Sequence, residues 1–116
     1  MPAAKIESIL TAYGMKFERS AENRWKVLPG AGLQYPAYID LIVRADGSDY
    51  MKVYMPVGRV PADAGPDFFK DIFRKNRDMG HGAYALVGED TMIFIDTLEL
   101  QNIDPNEFEA TMTWLV

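Results

Sequence analysis

AYIDLIVRADGSDYMKVYM, residues 37–55, is the stretch whose reading decides the fold. Ala37, Ile39, Leu41 and Val43 alternate with Tyr38, Asp40, Ile42 and Arg44. A period of two marks a strand with one buried face. ADGS at 45–48 follows, and Asp-Gly between two such runs signals a hairpin. Residues 49–55 alternate again. Met51, Val53 and Met55 fall on one side, and Tyr50, Lys52 and Tyr54 on the other. An antiparallel hairpin with one apolar face needs something to cover that face.

The flanking sequence supplies both more sheet and the cover. RWKVL (24–28) reads as a short strand, and PGAG after it as a turn. Residues 83–88 and 91–98 read as two further strands joined around Gly88, Glu89 and Asp90. Ahead of them, Ile6, Ile9, Leu10, Tyr13 and Phe17 share one helical face, with Gly14 a candidate stop. Pro66 opens a second helix carrying Phe69, Ile72, Phe73 and Asn76 at helical spacing. Lys70, Arg74, Lys75 and Arg77 dress its end, where cations complement the helix dipole. MGHG (79–82) breaks it. In the closing segment Asp104, Pro105 and Glu107 form a helix start. Phe108, Met112 and Leu115 read as core there, while Trp114 and Val116 point elsewhere.

The predicted order is α-β-β-β-α-β-β-α. Tight turns make the neighbouring strands antiparallel. The fold class is therefore α+β: a five-stranded antiparallel sheet with helices on one face.

Composition narrows the function. A chain of 116 residues is the length of one domain, residues 1–116. Hydrophobic content of 48% and charged content of 25% are ordinary for a packed domain. There is no cysteine, which excludes disulfides, thiolate metal sites and cysteine catalysis. The net charge of −5 has the wrong sign for a phosphate backbone, so no nucleic-acid partner is expected. Neither a signal peptide nor an apolar run near the ~18 residues of a membrane span is visible. The expected compartment is the cytoplasm, with no membrane association.

No catalytic motif is present. His81 is the only histidine and sits between two glycines, without the orienting partner a general base requires. The carboxylate pairs, Asp96 with Glu99 among them, read as solvated turn and surface residues. No metal or cofactor is expected.

The second face of the hairpin is more informative. Tyr38, Ile42, Tyr50 and Tyr54 share it, interleaved with Asp40, Arg44 and Lys52. If helices cover only the other face, this amphipathic aromatic patch looks outward. Two readings of it stand side by side: tyrosine is enriched where a surface binds another polypeptide, and it also serves on a plain solvent face through its strand propensity.

These elements resemble a known group. VGRVPADAGPDFFKDIFRKN (57–76) is similar to the linker and second helix of the type III secretion chaperone-like families, whose helix ends near Leu-x-x-Asn. Here it ends Phe73-Arg74-Lys75-Asn76. GAYALVGEDTMIFIDTLELQNIDPNEFEATMTWLV (82–116) resembles their closing unit, with Ile95-Asp96-Thr97-Leu98-Glu99-Leu100 and Ile103-Asp104 matching its outline. IESILTAYGMKF (6–17) resembles their opening helix. Two branches share this outline. One is the Tir-chaperone (CesT) family, small acidic dimers that hold a segment of a secreted protein. The other is the YbjN-like family of regulatory domains.

The resemblance implies a non-enzymatic module that binds a protein or peptide client. On that basis the client-binding residues are Tyr38, Ile42, Tyr50 and Tyr54. In the chaperones the second helix contributes to the dimer, so by this resemblance Phe68, Phe69, Ile72 and Phe73 are expected to divide between core and homodimer contact, and Trp114 of the closing helix is placed at the same interface. The alternative is a YbjN-like regulatory domain without a client.

Overall fold

The first helix, α1 (Pro2–Ala12), buries Ile6 and Leu10. Its end is dictated by Gly14, whose φ of 69° suits a residue without a Cβ. Gly14 N–H donates to Thr11 C=O at 3.0 Å and Met15 N–H to Leu10 C=O at 3.0 Å. That pair of bonds is a Schellman stop. It frees Phe17 from the helix, and Phe17 starts a strand instead. The chain is described here by a computed structural model covering residues 2–30, 33–100, 108–109 and 111–112.

Among the described residues the elements run α1, β1 (Phe17–Ala21), β2 (Arg24–Val27), β3 (Ala37–Ile42), β4 (Tyr50–Arg59), α2 (Pro66–Asp78), β5 (Ala83–Val87) and β6 (Thr91–Glu99). The strands form one six-stranded sheet in the order β1-β2-β3-β4-β6-β5, antiparallel at each junction. The class is α+β, as expected, but the sheet has six strands rather than five, and four strands rather than three precede α2. The extra strand is β1. Its sequence FERSA packs only Phe17 inward, so it carries no apolar alternation to read.

Residues 108–109 and 111–112 are helical. Phe108 and Met112 join Ile6 and Leu10 over one face of the sheet. That face supplies Trp25, Val27, Ala37, Ile39, Leu41, Met51, Val53 and Phe94, all buried. The rings of Tyr13 and Phe108 lie 5.2 Å apart, joining the turn after α1 to the closing helical segment. Each fully buried side chain of this size contributes roughly 1.5–3 kcal/mol. Trp25 is fully buried and its indole N–H donates to Glu7 Oε2 at 2.9 Å, so the polar edge is satisfied.

Two details of the hairpin differ from expectation. Val43 leaves the strand after Ile42 and is 60% exposed, because the last pair of the ladder is Ile42 with Tyr50. The turn is therefore wider than a two-residue loop, and Asp49 Oδ1 accepts from Arg44 N–H at 2.8 Å to hold it. Residues 56–66 are rich in Pro and Gly and read from sequence as a loop, yet 56–59 continue β4 opposite β6, with a bulge between Pro56 and Gly58.

Candidate functional site

Strand pairing brings the four predicted patch residues onto one face. Tyr38 pairs with Tyr54, and Ile42 with Tyr50, with Asp40 and Lys52 between them. The Tyr38 and Tyr54 rings stack at 5.6 Å with planes 21° apart. All four side chains are half-buried, while their strand neighbours Ile39, Leu41, Met51 and Val53 are buried beneath the helices. The pleat thus separates core from patch.

Asp40 organises this face. Its carboxylate accepts from Arg24 Nε at 2.7 Å and from Arg24 Nη2 at 3.2 Å. Arg24 lies on β2 directly opposite Asp40, so the fork is a product of register. A half-exposed pair of this kind adds little stability, but a bidentate fork fixes the direction of the carboxylate. The Tyr54 hydroxyl donates to Asp40 Oδ1 at 3.4 Å. Burial, and then the charge of Asp40, raise the Tyr54 hydroxyl pKa above its ordinary value. The Arg24 pKa is also raised, chiefly by its hydrogen bond to Asp40. At the other end the Arg44 guanidinium lies 5.5 Å from the centre of the Tyr50 ring. The patch is a set of flat rings held by charged neighbours at both ends.

Register also settles which β6 residues extend the patch. Tyr54 pairs with Ile95 and Pro56 with Ile93. Ile95 therefore continues the patch, whereas Phe94 is paired with Met55 and buried on the helix face. Neither isoleucine could be assigned to this face without knowing the β4–β6 register.

The predicted dimer residues lie apart from the patch, on α2. Gly65 precedes the helix and Pro66 occupies its first turn. No residue of α2 is buried. Phe73 is 72% exposed and Phe69 is 43% exposed. Phe68, Phe69, Ile72 and Phe73 face Tyr84, Leu86 and Met92 across a cavity of about 310 Å³. The β-strand wall of this groove was not among the residues read from sequence. Its signal was the alternation of Tyr84 and Leu86 in β5. Trp114, placed in the same interface from sequence, lies outside the described residues.

His81 is exposed in the loop before β5. Among the described residues no group of three His, Cys, Asp or Glu side chains could hold a metal ion. Among them, too, no helix is long and apolar enough to cross a membrane.

Comparison with known proteins follows the same outline. A search of the curated proteins finds no match. Among solved structures, the fold is similar to the Yersinia pestis type III secretion chaperone SycH, crystallised in complex with a stable fragment of YscM2. The TM-score is 0.67 at 16% identity, covering 99% of this chain and 93% of that one. At that identity the likeness concerns the fold. The CesT_Tir_1 family model matches residues 4–116. The chain therefore belongs to the CesT_Tir_1 family, the first of the two branches it resembles in sequence, and it carries the type III secretion chaperone fold.

Proposed function

We propose that residues 1–116 form a single-domain polypeptide-binding module that holds an apolar segment of a client protein, as a secretion chaperone does. The observation that carries this reading is the outer face of the β3–β4 hairpin. Tyr38, Ile42, Tyr50 and Tyr54 form an aromatic surface there that no described helix covers. Family membership supports it, as does the protein fragment bound to SycH.

Binding would bury the client's apolar side chains against these rings. An edge strand of the sheet would add backbone hydrogen bonds to an extended client. The module acts by association alone, without catalysis, cofactor or metal. Its acidic character and the family's role suit a cytoplasmic protein and argue against nucleic-acid or membrane partners.

The second surface fits self-association. Phe69 and Phe73 are exposed beside the half-buried Phe68 and Ile72, an apolar stripe that the chain's own sheet covers only in part. A homodimer through α2 would cover it, and Trp114 belongs to the same interface on the reading of the sequence.

The test is affinity purification from native cells, with wild type and Tyr54→Asp compared by mass spectrometry. One dominant partner, lost in a Tyr54→Asp protein that still shows the wild-type circular dichroism and a cooperative melt, is the expected result. No stoichiometric partner in either sample would overturn the reading and favour a regulatory domain without a client.

A further inference from the structure

β5 is an edge strand of the sheet. The outer side of an edge strand presents N–H and C=O groups ready to pair with another chain. At Tyr84 these groups are already taken. Tyr84 N–H donates to Asn76 Oδ1 at 2.7 Å. Asn76 Nδ2 donates in return to Tyr84 C=O at 3.2 Å. A carboxamide carries one acceptor and a donor side by side, as a peptide unit does. Asn76 thus makes the two bonds that a residue of a further strand would make. Antiparallel ladders alternate bonded and non-bonded pairs. Since the polar groups of Tyr84 point outward, its pair with Phe94 is a non-bonded one, and Ala83–Ile95 and Ala85–Ile93 carry the bonds to β6.

The rest of α2 has little to hold it. The helix buries none of its residues, and a cavity of about 310 Å³ separates its phenylalanines from the sheet. Asn76 lies in its last turn and reaches the strand directly. We infer that Asn76 is a positioning residue that stands in for an added strand at the β5 edge. It pins the end of α2 to Tyr84 and closes that point of the edge to pairing with a further chain.

Residue-resolved amide hydrogen exchange on the full chain, read by NMR, tests this with two variants. Asn76→Ala removes both bonds. The Tyr84 amide should then exchange about tenfold faster or more, as befits loss of one hydrogen bond. The amides of α2 should accelerate with it, and those of Ile39 and Val53 in the core should not. Asn76→Asp keeps the acceptor and loses the donor, so the Tyr84 amide should stay protected. A Tyr84 amide unchanged in Asn76→Ala overturns the inference. So does one that loses protection equally in both variants. Should Asn76→Ala fail to fold, Asn76→Asp decides alone, and a freely exchanging Tyr84 amide in it overturns the inference.

Discussion

The Thr111 hydroxyl donates to Asp96 Oδ2 at 2.6 Å, joining the closing helical segment to β6. Thr111 is fully buried, so water cannot replace the bond. Thr111→Val keeps the shape and removes the hydroxyl. A hydrogen bond to a charged group is worth about 1.5–3 kcal/mol, and the remaining carboxylate oxygen loses a donor in a confined place. The urea midpoint should fall by a corresponding amount with an unchanged slope. An unaltered midpoint would show that the Thr111–Asp96 bond adds nothing to the hold of the closing segment on β6.

Gly82 is required for two separate reasons. Its φ of 73° is a left-handed conformation, and a Cβ there would lie 2.6 Å from Phe94 Cζ and 2.8 Å from Ile95 C=O. Gly88 shares the conformation, at φ 65°, but has open space around it. Gly88→Ala should therefore cost only the backbone term, about 1–2 kcal/mol. Gly82→Ala should cost more, because the buried Phe94 ring and the β6 backbone must also move. Thermal denaturation of the two variants side by side measures the difference. Equal costs would mean that the close approach of Gly82 to β6 carries no energetic weight.

These contacts show where sequence reading stops. The hairpin was legible because residues 37–55 alternate cleanly, and pleat geometry alone puts Tyr38, Ile42, Tyr50 and Tyr54 together. β1 was not legible. Phe17 is its sole inward residue, and its spacing from Ile6 also fits a helix face. Only the left-handed turn at Gly14 separates the two readings. Asp96 was read as a solvated carboxylate. Its pairing with Val53 instead turns it toward the helices, and a register of that kind depends on a distant strand. Asn76 kept helical spacing with the phenylalanines, which hid its bonds to Tyr84. The patch was found by local periodicity; its extension through Ile95 needed tertiary pairing.

Tyr54 predicts a specific alkaline behaviour. Its hydroxyl pKa is raised in the folded state, so folding favours the protonated ring. That contribution is complete below the unfolded tyrosine value of about 10 and is lost as pH rises through the folded value. Wild type should lose stability above pH ~10 more steeply than Tyr54→Phe does. Urea unfolding at pH 8 and at higher pH gives the comparison, and ultraviolet titration should show one tyrosine fewer ionising late in the variant. Parallel stability curves for the two proteins would place the Tyr54 hydroxyl in ordinary solvent.

Phe73 separates self-association from folding. It is 72% exposed on a helix with no fully buried residue, so Phe73→Asp should change the stability of one subunit by no more than about 0.5 kcal/mol. In a dimer formed through α2, the same change would force a carboxylate into an apolar contact, which is strongly unfavourable without a partner charge. Light scattering after size exclusion should give a dimer mass for wild type and a monomer mass for the variant. The melting temperature should rise with concentration in wild type only, because association stabilises the folded state by mass action. A variant that remains dimeric would move the interface away from α2. A wild type that is monomeric at every concentration would leave the α2–β5 groove to a partner other than a second copy of this chain.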